Sequence, residues 1–389
     1  MRKRVFVIVL DSFGCGALPD AEHYGDAGCH TLRSCFDTGM LHIPNLARLG
    51  LFNIPGVNVG TSADVPAAAF GKCAERSKGK DTTTGHWEIA GLISQTPMKT
   101  YPDGFPQAVL DRLRAATGRE ILCNKPYSGT QVILDYGREH MQTGALIVYT
   151  SADSVLQIAA HESVIPVPEL YKICEQAREI MQGEFAVGRI IARPFIGEYP
   201  DFQRTSNRHD YSVAPFAPTA LDLIKNAGKD VISVGKIVDI FDRQGITESL
   251  RTVSNDDGMG KTIQLAARDF EGFCFVNLVE FDSAYGHRRD AAGYTRALNA
   301  FDAQLGALLP QLRADDLLIL TADHGCDPNA HGTDHTREYI PVLAYGNGVS
   351  AKNIGIRAGF SDIGQTVLEA LGVPGDSLAG TSFAKEIGV

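Results

Sequence analysis

Three apolar runs rich in β-branched or aromatic residues, VFVIVL (5–10), FCFVNLVEF (273–281) and LLILTA (317–322), each break off at an aspartate: Asp11, Asp282 and Asp323. Runs this short and without polar alternation read as strands buried on both faces, the kind found in parallel sheets covered by helices. ALIVYT (145–150), which stops before Ser151, and DVISVG (230–235) have the same character. Between the later runs lie helical patterns, APTALDLIKNAG (217–228) with Gly228 as its stop and AGYTRALNAFDAQLGALLPQL (292–312). This alternation predicts an α/β fold with a mostly parallel sheet. In such sheets functional groups collect beyond the carboxyl ends of the strands, which makes the three aspartates candidates for one site.

A chain of 389 residues exceeds one ordinary core. The stretch 98–213 is richer in proline and loops and interrupts the strand and helix rhythm, so an inserted α/β domain is expected there, with a core built from 1–97 and 214–389. A net charge of -10 argues against holding nucleic acid through a broad basic surface. The apolar runs are far shorter than a bilayer span, and Met-Arg-Lys-Arg is followed by too short an apolar stretch for a signal peptide, so a cytoplasmic protein is expected. No protein partner is predicted. The eight cysteines show no CxxC pair and read as free thiols filling the core.

Two segments carry metal-binding chemistry. In EFDSAYGHRRD (280–290), Asp282 and His287 stand five apart, and a loop folding back from the strand brings carboxylate and imidazole to one cation. In TADHGCDPNAHGTDHTRE (321–338), Asp323 and His324 leave a strand and His335 returns eleven residues after His324. His331 shares that loop and reads as a surface or supporting residue. Asp11, Asp282, His287, Asp323, His324 and His335 give three carboxylates and three imidazoles, enough for two divalent cations with open positions. The mixed oxygen and nitrogen set fits manganese or zinc better than magnesium or copper. A two-metal site clamps the attacking and leaving oxygens of a phosphoryl transfer.

GKDTTTGHWE (79–88) supplies a group for that metal pair to act on. A threonine hydroxyl is a poor nucleophile near neutral pH and becomes a strong one when a metal binds it as the alkoxide. If Thr82 opens a helix, a phosphate on it meets the free N–H groups of the first turn, with Thr83 and Thr84 as capping or first-turn residues. Two other motifs are rejected. GCGALP after Asp11 lacks the third glycine of a dinucleotide fingerprint, and NDDGMGKT (255–262) has Asn255 where a phosphate loop needs glycine.

Taken together, VLDSFGCGALPDA, GKDTTTGHWEIAG, YTSADSVLQIAAHE (149–162), RPF (193–195), NRHDYS (207–212), VGKIVDIFD (234–242), EFDSAYGHRRD and TADHGCDPNAHGTDHTREY resemble the alkaline phosphatase superfamily, and within it the bacterial mutases that act on pentose phosphates. The resemblance runs in order along nearly the whole chain. It implies an alkaline-phosphatase-like core interrupted by an α/β cap domain, two Mn2+ ions, and interconversion of ribose or deoxyribose 1-phosphate with the 5-phosphates through a bisphosphate intermediate. It also implies a sugar bisphosphate such as glucose 1,6-bisphosphate as activator. By motif, Thr82 is the phosphorylated residue. One metal falls to Asp11, Asp323 and His324, the other to Asp282, His287 and His335. Ser151, Asp153, Arg193, Arg208 and Lys236 match positions that contact the pentose phosphate. The middle of KDTTTGH and the DPNAHGTDH loop depart locally from the pattern without displacing a ligand. A phosphatase or phosphoglycerate mutase on the same metal core, or a metal-stabilised binding protein, are the rival expectations.

Overall fold

The computed structural model describes residues 3–151 and 153–389. The chain divides into two compact units, 1–97 with 215–389, and 98–214. Among the described residues no helix is long and apolar enough to cross a membrane.

The first two strands, β1 (Arg4–Leu10) and β2 (Ala69–Cys73), belong to the larger unit. The smaller unit supplies β3 (Ile121–Pro126), β4 (Leu146–Thr150), β5 (Val155–His161), β6 (Arg189–Ile196), β7 (Gln203–Arg204) and β8 (His209–Ser212). The larger unit resumes with β9 (Asp230–Val234), β10 (Glu248–Leu250), β11 (Gly272–Leu278), β12 (Asp316–Thr321), β13 (Ile340–Tyr345) and β14 (Asn353–Arg357).

The larger unit is an eight-stranded sheet in the order β10-β9-β11-β1-β12-β13-β2-β14. All its pairings are parallel except the two made by β13. Every residue of β1, β11 and β12 is buried, as their unbroken apolar runs require. Their register is flush: Arg4 pairs with Gly272 and Asp316, while Leu10 pairs with Leu278 and Val9 with Thr321. Hence Asp11, Asp282 and Asp323 emerge on one edge. The antiparallel return of β13 has a consequence for that edge. A parallel crossover would carry the chain to the opposite end of the sheet, whereas the reversal keeps His335, just before β13, beside Asp323 and His324.

The smaller unit is a six-stranded mixed sheet, β3-β4-β5-β6-β7 with β8 also on β6. ALIVYT therefore pairs parallel with β3 but antiparallel with β5. Along β4 the side chains alternate between two cores: Leu146 and Val148 pack with residues of the helices Gln107–Thr117 and Val167–Ile180, Ile147 and Tyr149 with Val132 and Ile133 of the helix Gln131–Thr143. The rejected phosphate-loop segment is simply the first half of the helix Asn255–Ala267, capped by the Ser254 side chain on the Asp257 N–H.

Candidate metal centre and its neighbours

Most residues of the threonine motif have a local use. Asp81, in extended conformation, caps the helix Thr82–Ile89, its carboxylate accepting the Thr84 N–H at 3.0 Å and the Thr84 hydroxyl at 2.6 Å. Thr84 is thus spent on the cap, while the Thr82 hydroxyl lies 3.2 Å from His324 Nε2. Gly85 lets the helix touch the end of β12: a Cβ there would sit 2.0 Å from the Asp323 carbonyl oxygen. Trp87 donates to the Ile240 carbonyl, and the buried Glu88 carboxylate accepts the N–H groups of Arg76, Ser77 and Phe360. The His86 ring lies between Thr82 and Asp323, with Nδ1 2.8 Å from the Thr82 carbonyl and 3.1 Å from Asp323 Oδ2.

Asp282 and His287 are not on a loop. Residues Phe281–Gly286 form a π-helical turn, with the His287 N–H reaching the Asp282 carbonyl five residues back. In an α-helix residues five apart would point about 140° apart. The wider turn instead sets His287 Nε2 3.3 Å from Asp282 Oδ2.

The six expected ligands converge in two overlapping sets. Donor atoms of Asp11, Asp323 and His324 lie within 4.8 Å of one another. His335 Nε2 is 3.4 Å from Asp282 Oδ1 and 3.1 Å from His287 Nε2. His324 joins the sets, since it also groups with Asp282 and His335 and its ring stacks on that of His335 at 4.0 Å. His331 is exposed. A third grouping, Asp282, His287 and Cys326, has no counterpart in the sequence expectations.

The electrostatics suit cations. One oxygen on each of Asp11, Asp282 and Asp323 is buried and accepts no hydrogen bond among the described residues. Burial and the charge of Asp323 push the Asp11 carboxyl up. Burial acts the same way on the other two but is outweighed, by His335 and His287 at Asp282 and by His324 and His86 at Asp323, which hold both carboxyls below the usual range. Burial alone would lower the His324 imidazole, yet Asp323 and Asp11 raise it well above its ordinary value. The carboxylates demand positive charge, and a divalent cation bound by this oxygen and nitrogen set supplies it.

The expected substrate residues fall in both units. Lys236 follows β9 at the carboxyl edge of the larger sheet. In the smaller unit the Ser151 hydroxyl accepts the Asp153 N–H at 3.3 Å, and Asp153 faces Arg189 at 3.7 Å. Arg193, held by Gln157 at 2.8 Å, lines a cavity of about 460 Å³ with Arg204, Arg208, Pro194, Thr205 and Ser206. Arg208 is also paired with Asp210 at 2.7 Å. Arg204, on β7 opposite Phe195, joins this cavity through strand pairing. The fully buried Tyr149 hydroxyl has no hydrogen-bond partner among the described residues. Burial raises its phenol, and Arg193, Arg204 and Arg208 pull it back.

Three buried carboxylates, three imidazoles and a helix-opening hydroxyl thus meet in one place. The sequence profile of the metalloenzyme superfamily matches residues 3–375, and the chain belongs to that superfamily. The chain is 53% identical over 386 residues to a phosphopentomutase of Lachnoclostridium phytofermentans, covering 99% of both chains. It is 52% identical over 390 residues to one of Caldanaerobacter subterraneus subsp. tengcongensis, covering 100% of this chain and 98% of that one. The chain is a member of the phosphopentomutase family. Its fold is similar to that of the PH0037 protein from Pyrococcus horikoshii, with a TM-score of 0.52 at 12% identity over 96% of this chain and 97% of that one.

Proposed function

We propose that this enzyme moves a phosphoryl group between O1 and O5 of ribose or deoxyribose through a phosphothreonine at Thr82. Membership of the phosphopentomutase family supports a pentose phosphate mutase. The observation that carries the Thr82 assignment is its hydroxyl, at a helix start and 3.2 Å from His324 Nε2, while Thr84 is committed to the cap.

Asp11, Asp323 and His324 would hold one metal and Asp282, His287 and His335 the other, manganese on this reading. A metal pair held there would supply Lewis-acid stabilisation to the Thr82 oxygen and to the charge on the transferring phosphate. The first-turn N–H groups of the helix face a phosphate on Thr82. In the forward half-reaction the bond from phosphorus to Thr82 Oγ1 breaks, one to the free sugar hydroxyl forms, and the hydroxyl proton leaves to base. The resulting pentose 1,5-bisphosphate returns its other phosphate to Thr82. A sugar bisphosphate such as glucose 1,6-bisphosphate primes the cycle. We assign reading of the substrate to the smaller unit, as a cap domain. The guanidinium forks of Arg193, Arg204 and Arg208 suit the phosphate that is not reacting, and Ser151 and Asp153 suit sugar hydroxyls. Lys236, after β9, is assigned to the substrate as a further cation.

Phosphorus NMR of the manganese-loaded protein with ribose 5-phosphate and a trace of glucose 1,6-bisphosphate tests the reading beside Thr82→Ala. Ribose 1-phosphate is expected with the wild type alone. Release of inorganic phosphate, or turnover by Thr82→Ala, would overturn it.

A further inference from the structure

Cys326 stands apart from the other cysteines by its neighbours. Its Sγ, an Asp282 oxygen and a His287 ring nitrogen all lie within 4.8 Å of one another. The turn that carries it is fixed, since its N–H donates to the Ser12 carbonyl at 3.1 Å and the Thr31 hydroxyl at 3.2 Å. Among the described residues the thiol makes a long hydrogen-bond contact, 3.7 Å, with the Asp334 carbonyl. Asp282 is 6% exposed and its Oδ1 accepts no hydrogen bond among the described residues, so the shared carboxylate retains coordinating capacity.

We propose that Asp282, His287 and Cys326 form an alternative site for a thiophilic divalent cation, zinc or cadmium, and that filling it stops the reaction. The inhibitory half of this rests on the assignment of Asp282 and His287 to the reacting metal pair. Manganese favours oxygen and nitrogen donors, whereas a thiolate selects softer cations, and zinc already outbinds manganese at a mixed nitrogen and oxygen site. His335, whose Nε2 is 3.1 Å from that of His287, would serve as the fourth donor that a closed tetrahedral zinc site requires. A closed site leaves no position for a phosphate oxygen. Binding breaks the Cys326 S–H bond, forms a metal–sulfur bond and releases the proton to solvent. No oxidation state changes.

The test uses the metal-free full chain with Cys123→Ser, which removes the one thiol that is only half-buried. Titration with cadmium chloride should produce the ultraviolet sulfur-to-cadmium charge-transfer band, saturating at a single equivalent. The band should vanish in Cys326→Ser and Cys326→Ala, with near-ultraviolet circular dichroism checking that each is folded. In the manganese-loaded protein, the zinc concentration that halves turnover should rise roughly tenfold or more in Cys326→Ser. A band that survives both variants, or no band in the parent, overturns the site; unchanged zinc sensitivity overturns its inhibitory role. Because the band needs no turnover, a failure of the mutase reading would leave it in place.

Discussion

At the amino ends of β1 and β12, Arg4 grips Asp316 through Nε to Oδ1 at 2.7 Å and Nη2 to Oδ2 at 2.6 Å, both side chains fully buried. At the carboxyl ends of the same strands Asp11 and Asp323 are just as deeply buried, yet each keeps an oxygen that accepts no hydrogen bond among the described residues. The Arg4 fork also reaches the carbonyls of Ala266 and Arg268, at the end of the helix Asn255–Ala267, so every charge there has a partner within the chain. Burying a carboxylate without a partner costs several kcal/mol. A fold that satisfies one end of a strand and leaves the other wanting is holding the second end for something from outside.

The largest effect should come from removing a carboxylate at the open end. Asp323→Asn is expected to lower turnover by more than about 10³-fold, or about 4 kcal/mol of transition-state stabilisation. The metal-free variant should lose only modest stability, because the ionised carboxyl that His324 and His86 favour is gone while crowding with Asp11 is relieved. Steady-state assays with urea melts in chelator check both halves. A chelated variant that melts far earlier would mean that the acid belongs to the structure as Asp316 does.

At the closed end the signs should reverse. Asp316→Asn leaves Arg4 buried without its counter-charge and should cost about 3–5 kcal/mol of stability. Turnover per folded molecule should be unaffected. Denaturant midpoints and active-fraction titration separate the two, and a fall in turnover of the folded protein would break the comparison.

Glu338 is an intermediate case, a carboxylate buried near the open edge but satisfied by the Thr31 and Gly16 N–H groups and the hydroxyls of Thr31 and Thr336. Burial still raises its carboxyl from 4.5 to about 7. The native state therefore binds this proton more tightly than the unfolded chain. The stability it contributes is fully present below about 4.5 and is lost as pH rises through about 7. In chelated protein, urea midpoints of the wild type minus those of Glu338→Gln should fall across that window. A difference that stays flat or rises would show that the hydrogen bonds outweigh burial.

How much of this was legible in the sequence follows from range. The aspartates were visible because an apolar run that stops at an acid is a local pattern, which β1 and β12 take, whereas β11 ends at Leu278 and the π-helical turn carries Asp282. The ligand partnership of Asp282 and His287 was legible only as a spacing, since the π-helical turn that makes it work is a tertiary outcome. Arg204 carries no motif of its own in the sequence; it meets Arg193 and Arg208 because β7 pairs with β6. Cys326 was read as core filler because its partners Asp282 and His287 come from a distant segment rather than from a CxxC spacing. The antiparallel β13 was invisible for the same reason: its direction is decided by where the loop bearing His335 must end.

The smallest expected effect concerns what steadies the open end. Asn277 Nδ2 is 2.8 Å from Asp11 Oδ2 and 3.3 Å from His86 Nε2, so its two hydrogens serve a carboxylate and an imidazole acceptor. That fixes the His86 proton on Nδ1, which faces the Thr82 carbonyl at 2.8 Å and Asp323 Oδ2 at 3.1 Å. A buried chain thereby ties two of the proposed ligands to the backbone of the proposed nucleophile. His86→Phe keeps a ring in the space but loses both polar contacts, and should weaken manganese binding by about 10–100-fold. His86→Asn places an amide N–H where Nδ1 was and should recover much of that loss. Electron paramagnetic resonance titration of manganese reads the affinity directly, and melting of the metal-free variants separates positioning from packing. If both variants bind as the wild type does, the open end needs no strut; if both fail equally and melt early, His86 acts by filling space rather than by aiming Asp323.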